Sequence, residues 1–268
     1  MSVSIAIIVA MESERRHLDT LMPGWEPVEH AVWPTLKNGD VVCITSGIGM
    51  VSAAAATEHA ISTWNPTMVM NFGCTGAHHP DLFPGDVVVG DQVVHQGRMR
   101  FAPNGEIIPL ATGFYVPGEA HQVTEVSTDP TLRAVAEEVA AALELPSWPE
   151  VARLVSQTDR KPIARTGTVS SGDIWLQSPV LINSAHARNG SLCEDMEAAS
   201  IAQVSALHRV PFLTVKDISN SELHESTVFD DATSVLYAEE LGMRSAMVIA
   251  GVIEKLRVIG GLRGLIYS

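Results

Sequence analysis

The residues best suited to chemistry are carboxylates set next to predicted strand ends. The run Cys193-Glu194-Asp195-Met196-Glu197-Ala198-Ala199-Ser200 places acids where a strand gives way to a helix, and there the helix dipole favours the ionised form. N-terminal capping accounts for Glu194 or Asp195 without any function. Glu197 is harder to explain that way, because the small residues after it leave the backbone open to a ligand or to close packing. Glu12 and Glu14 follow the first apolar run directly, with Arg15 and Arg16 behind them.

Glycine-bearing turns provide places where a ligand can approach the backbone. Gly47-Ile48-Gly49-Met50-Val51-Ser52 lies between a predicted strand and an Ala-rich helix. It partly matches a dinucleotide-binding turn, but the third glycine is missing and no acidic residue closes a second strand. A tight strand-to-helix turn explains it better, and such a turn can also cradle a small hydroxylated or anionic ligand. Gly73-Cys74-Thr75-Gly76-Ala77 reads as a second small-residue turn after a buried strand, and Pro84-Gly85-Asp86 launches another. His78-His79 and His95 complete no recognised metal-ligand spacing, so no metal and no cofactor is expected. There is no G-x-S-x-G elbow and no P-loop.

These residues need a scaffold, and the pattern supplies one. Strands are predicted at 3–9, 41–45, 68–72, 86–93, 165–169 and 212–217, nearly continuous in apolar residues as strands covered on both faces are. Helices are predicted at 12–21, 51–63, 130–143, 179–187, 196–207 and 232–256. The alternation implies an α/β fold: a three-layer α/β/α single domain, residues 1–268, with a mixed, mostly parallel central sheet. The stretch from about 98 to 160 is richer in Pro, Gly and polar residues and is expected to form an enlarged loop-helix-loop region at its edge. The 268 residues carry 46% hydrophobic and 18% charged side chains, as globular chains do. A net charge of −14 argues against nucleic-acid or anionic-membrane partners. Three scattered cysteines (Cys43, Cys74, Cys193) and the lack of a basic leader or long apolar run point to the cytoplasm.

In this order the pieces resemble the purine and uridine phosphorylase superfamily, particularly its 5′-methylthioadenosine/S-adenosylhomocysteine nucleosidase branch. The signatures are Ala10-Met11-Glu12-Ser13-Glu14, Ser46-Gly47-Ile48-Gly49, and Asn71-Phe72-Gly73-Cys74-Thr75-Gly76 with Pro84-Gly85-Asp86. Ser171-Gly172-Asp173-Ile174-Trp175, Asp195-Met196-Glu197-Ala198-Ala199 and Val215-Lys216-Asp217-Ile218-Ser219-Asn220 complete the set. The resemblance implies cleavage of the N-glycosidic bond of a purine nucleoside, a role in purine nucleoside metabolism and methionine salvage, and a homodimer or larger assembly. Met196 would pack under the ribose, Glu197 bind its hydroxyls, Trp175 stack on the base, and the backbone near Leu176 read the base edge. Ile48, Cys74, Thr75, Gly76 and Asp195 would complete the substrate contacts. Phe101 and Phe229 are candidate apolar contacts where a neighbouring subunit closes the 5′ side.

The acceptor turns on two positions. Phosphorylases of the superfamily hold phosphate with an Arg-bearing loop after the first strand and an Arg just before the G-[ST]-x-G turn. Here those places carry Glu12 and Glu14, and Asn71. Carboxylates there repel phosphate and suit a general base for water, a role the resemblance gives to Glu14. One departure stands out. The nucleosidases end the late strand motif in Ser-Asp, whose acid protonates the departing purine, whereas this chain reads Ser219-Asn220. Asn220 would then recognise a different base, with a 6-oxopurine the natural candidate, or Asp217 or Glu222 would supply the acid. Two alternatives stay open: a phosphate-dependent nucleoside phosphorylase, and a catalytically weak nucleoside-binding protein.

Overall fold

The computed structural model describes residues 4–110, 112–116, 119–148, 160–224 and 239–260. Its centre is β1 (Ile5–Val9), fully buried and flanked in parallel by β4 (Val41–Thr45) and β5 (Met68–Ala77). Alternate β1 side chains enter two different cores. Ile5, Ile7 and Val9 join the one that takes α2 (His17–Leu21), α4 (Pro130–Ala142) and α7 (Met243–Val258). Ala6 and Ile8 join the other, with α3 (Met50–Trp64) and α6 (Ala198–Leu207). Helices on both faces explain why the strands read as unbroken apolar runs, and each buried aliphatic side chain there contributes about 1.5–3 kcal/mol.

The sheet is mixed. β6 (Val87–His95), β12 (Ala164–Ser171) and β14 (Phe212–Asn220) run through its other half, with β12 parallel to β6 and β14 parallel to β5. β14 is antiparallel to β6, and the short β13 (Cys193–Asp195) joins β12 to β5. The ladder β5–β14–β6–β12–β13 therefore returns to β5 and closes on itself. From β5 the sheet continues through β1 and β4 to β3 (Thr35–Asn38) and β2 (Glu26–Pro27), both antiparallel.

Several sequence expectations need adjusting. Gly73–Ala77 is the second half of β5, not a turn, because β14 pairs alongside it to Gly76 and β13 pairs with Gly76 and Ala77. The helix expected over 12–21 divides into α1 (Glu12–Arg15) and α2. The helix expected from Met196 starts at Ala198, whose N–H is taken by the Asp195 carboxylate. The last helix starts at Met243, since Gly242 at φ +77° lies outside helical geometry; the expected start at 232 falls outside the described residues. The first loop expected after residue 98 holds strands: β7 (Met99–Phe101) with β8 (Ile107–Pro109), β9 (Thr112–Val116) with β10 (Glu119–Val123), and β11 (Glu125–Ser127) on the edge of β6. α5 (Pro179–Asn189) precedes β13. No helix among the described residues is long and apolar enough to cross a membrane.

Candidate active site

The carboxyl ends of the central strands converge on one cavity of about 200 Å³, the place where open α/β sheets bind ligands. Ala10, Met11 and Glu14 come from the end of β1 and from α1, and Ile48 from the turn after β4. Cys74, Thr75 and Gly76 come from β5, Ile174 and Trp175 from the segment after β12. Glu194 and Asp195 on β13, Met196 and Glu197 before α6, and Ser219 and Asn220 ending β14 close the ring. Thus Glu14, Ile48, Cys74, Thr75, Gly76, Trp175, Asp195, Met196, Glu197 and Asn220, singled out from sequence, line one pocket. A register shift between Ile218 and Asn220 lets the neighbours Ser219 and Asn220 both face it. Phe229 lies outside the described residues.

Glu14 is held by backbone. Its Oε2 accepts from Met11 N at 3.1 Å and its Oε1 from Cys74 N at 2.8 Å. Two glycines make room for it: a Cβ at Gly73 would sit 2.6 Å from Glu14 Oε1, and one at Gly242 2.9 Å from Glu14 Cβ. Burial pushes its pKa above the usual carboxylate value, opposed by Lys216 and by the two amides. Glu197 Oε1 accepts from Gly49 N at 2.8 Å. Burial, then the neighbouring Asp195, push its pKa up to about 7, with Lys216 opposing. Lys216 is buried mid-strand, its Nζ 2.6 Å from Asp195 Oδ2. Burial works against its charge, but Asp195 and Glu197 outweigh that and raise its pKa.

The acidic run divides its labour. Asp195 caps α6 through Ala198 N and pairs with Lys216, as the capping reading allows. Glu194 makes neither contact. Its Oε1 accepts the Leu176 N–H at 2.6 Å and its Oε2 accepts from Gln96 Nε2 at 3.0 Å. The Leu176 amide expected to read a base edge is therefore bound to Glu194 in this structure. The Gly47–Met50 turn is also filled from within the chain: Gly49 N donates to Glu197 and Met50 N to Asp173 Oδ1 at 2.8 Å. The amides a pyrophosphate would need are taken, which removes the dinucleotide reading.

Asn71 lies inside the sheet, with Nδ2 on Ile8 O at 3.0 Å and Oδ1 accepting from Thr214 Oγ1 at 2.9 Å. The Asn71 amide is therefore occupied within the sheet and offers nothing to an anion in the pocket. Arg15 is clamped between Glu12 and Asp19. Neither substitute acid reaches the cavity. Asp217 accepts from Ser245 Oγ at 3.2 Å and Arg244 N at 3.3 Å, and neither it nor Glu222 lines the pocket. His78 meets Ser191 Oγ at 2.7 Å, while His79 accepts from Asp81 N at 3.2 Å, so the histidine pair turns to separate partners. Sequence reasoning missed Lys216 and the orientation of Glu194. A lone lysine within the apolar strand Phe212–Asn220 was the available signal for the first, since a buried charge demands a partner. Nothing local distinguished Glu194 from a cap.

Buried carboxylates around a cleft at the strand ends define an α/β protein built to hold and act on a small polar molecule. The chain belongs to the phosphorylase superfamily, whose model matches residues 4–254. A 5′-methylthioadenosine/S-adenosylhomocysteine nucleosidase of Marinomonas sp. (strain MWYL1) is 32% identical over 188 residues, 70% of this chain and 71% of that protein. The fold matches the Helicobacter pylori nucleosidase of that name crystallised with butyl-thio-DADMe-Immucillin-A, with TM-score 0.74 and 19% identity over 96% of this chain and all of that one. It also matches H. pylori futalosine hydrolase, with TM-score 0.71 and 20% identity over 96% and 99% of the two chains.

Proposed function

We propose that this protein hydrolyses the N-glycosidic bond of a purine nucleoside, releasing the free base and a ribose derivative. The observation that carries the reading is Glu14, buried at the pocket that Glu197 also lines, with its carboxylate fixed by two amides. Its raised pKa makes it a stronger base once ionised. Water activated by Glu14 attacks the anomeric carbon, while Glu197 holds the ribose hydroxyls beside the developing positive charge. Met196 packs under the sugar and Trp175, 47% exposed at the cavity, stacks on the base. Ile48, Cys74, Thr75, Gly76 and Asp195 complete the walls. The nucleosidase name of the Marinomonas relative supports the same reaction and, with it, a part in methionine salvage.

Water is the acceptor in this reading because no arginine lines the cavity among the described residues, and Arg15 is committed to Glu12 and Asp19. Purified protein incubated with a panel of purine nucleosides, with and without phosphate, tests it. Base release in both conditions is expected; strict phosphate dependence with sugar 1-phosphate as product overturns it. Asn220 favours a second reading, a nucleoside-binding protein without turnover. Tight binding without base release across the panel, and turnover gained by Asn220→Asp, would establish that one.

The chain acts as one domain, supported by a single sheet that draws strands from Ile5 to Asn220. It works in the cytoplasm, where three free cysteines are compatible with a reducing environment. A second copy covers the pocket mouth, where Ile48 and Trp175 are 55% and 47% exposed; Val51, at 80%, and Phe101, at 71%, are further candidate contacts.

A further inference from the structure

The reaction proposed above leaves one buried acid of the central sheet without a task. Asp217 lies on β14, 2% exposed and outside the cavity lining, and a carboxylate withdrawn from water costs stability unless it is partnered. We propose that Asp217 is a positioning residue: with Ser245 it braces the slot between β5 and α7 that holds Glu14 in place as the base. The inference rests on the nucleosidase reading and deepens it, since Asp217 acts through Glu14.

The other polar side chains of β14 have other partners. Thr214 donates to Asn71 Oδ1, Lys216 pairs with Asp195, and Ser219 and Asn220 line the cavity. Alternation along the strand turns Lys216 toward Asp195 and Asp217 toward the amino end of α7. There Asp217 Oδ2 accepts from Arg244 N at 3.3 Å and Oδ1 from Ser245 Oγ at 3.2 Å. The first turn of a helix leaves N–H groups without intrahelical partners. The N-cap of α7 is Gly242, which has no side chain to answer them. β14 supplies the cap that the helix lacks.

That cap bears on both walls around Glu14. One wall is Gly242, where an added Cβ would sit 2.9 Å from Glu14 Cβ; the other is Gly73 on β5, where it would sit 2.6 Å from Glu14 Oε1. A single hydroxyl touches both. Ser245 Oγ stands 3.0 Å from Gly242 O and 3.4 Å from Gly73 O, besides its contact with Asp217. Asp217 also pairs in the β14–β5 ladder with Cys74, whose N–H donates to Glu14 Oε1 at 2.8 Å. The two carboxylates are near enough to feel one another: burial first, and the Glu14 charge in addition, push the Asp217 pKa up to about 7 against the opposing Arg244. The Arg244 side chain is anchored separately, to Pro146 O at 2.7 Å and Glu240 Oε2 at 3.0 Å. Removing Asp217 therefore loosens the slot without detaching the helix.

Steady-state base release by Asp217→Ala and Asp217→Asn, with Asp217→Ala made also in the Glu14→Gln protein, tests this. Asp217→Ala is expected to lower kcat about 10- to 100-fold, as a catalytic group displaced by an ångström does, with KM within about threefold of wild type. The Asp217→Asn amide accepts from Arg244 N through its oxygen and donates to Ser245 Oγ through its nitrogen, so it is expected to recover most of that rate. In the Glu14→Gln protein Asp217→Ala is expected to cost nothing further, because the group it positions is gone. An unchanged kcat in Asp217→Ala, equal losses in the two variants, or the same loss with and without Glu14 overturns the proposal. Should Asp217→Ala not fold, Ser245→Ala, which removes only the bridging hydroxyl, decides. A lower kcat at unchanged KM is expected there, and an unchanged kcat overturns it. A crystal structure of the same variant separates this inference from the reading beneath it. Glu14 displaced from Met11 N and Cys74 N, in a protein whose wild type releases no base, would sink the nucleosidase reading and leave the brace standing. Base release by wild type, with Glu14 undisturbed in the variant, would do the reverse.

Discussion

Glu14 and Glu197 line one pocket, and burial raises the pKa of both, with the buried Lys216 opposing the shift. For Glu197 the consequence is thermodynamic. Its folded pKa, about 7, lies above the ordinary carboxylate value of 4.5, so the folded state retains a proton that the unfolded chain releases. Its contribution to stability is complete below about pH 4.5 and is lost as pH rises through about 7. Glu197→Gln keeps an acceptor for Gly49 N and removes that loss. Thermal melts are expected to show the variant gaining at least about 2 °C more over wild type at pH 8 than at pH 5. An identical gain at both pH values would mean that Glu197 does not titrate in this window. At this scale the sequence was most informative where a residue type had no structural excuse, as at Glu197. It was least informative at Glu194, which reads as a cap until β13 is in place and turns its carboxylate to Leu176 N and Gln96 Nε2.

At the scale of elements, glycines decide whether Glu14 can be where it is. Gly242 sits at φ +77°, a conformation that side chains disfavour, immediately before α7. A Cβ there would also press on Glu14 at 2.9 Å from its Cβ and 3.2 Å from its Cα. Gly242→Ala is expected to cost about 1–3 kcal/mol of stability from backbone strain and to reduce base release as Glu14 is displaced. Denaturant unfolding and the base-release rate measure the two effects; an unchanged rate would show that Glu14 tolerates displacement or plays no part. The apolar strands were legible because helices cover both of their faces, so they read as unbroken hydrophobic runs. Their ends were not. β5 continues through Gly73–Ala77 only because β14 and β13 supply partners far away in sequence. The hairpins β7–β8 and β9–β10 escaped because their strands are short and interrupted by Pro and Gly.

For the whole molecule, the mixed α/β sheet was legible from the strand-helix alternation, and the family from motifs kept in register along the chain. What alternation could not express is the closure of β5, β14, β6, β12 and β13 into a ring, which depends on the three-residue β13 bridging β12 to β5. Closure gathers Cys74–Gly76, Glu194–Glu197 and Ser219–Asn220 around one cavity. The cavity is edged by the exposed Ile48 and Trp175, and Val51, in the first turn of α3, is exposed as well; a second copy would cover this face. Sedimentation velocity at micromolar concentration is expected to give at least twice the 28.7 kDa of one chain, with Val51→Asp shifting the population toward single chains. A wild-type protein that sediments as a monomer would contradict that assembly.

The proposed hydrolysis depends on water activated at Glu14. Base release in phosphate-free buffer by wild type and by Glu14→Gln, with nucleoside binding measured alongside, tests it most directly. Turnover by wild type is expected, together with a Glu14→Gln protein that still binds nucleoside but releases base about 10²- to 10⁴-fold more slowly. A wild type inert until phosphate is added, or a Glu14→Gln variant as fast as wild type, would contradict it.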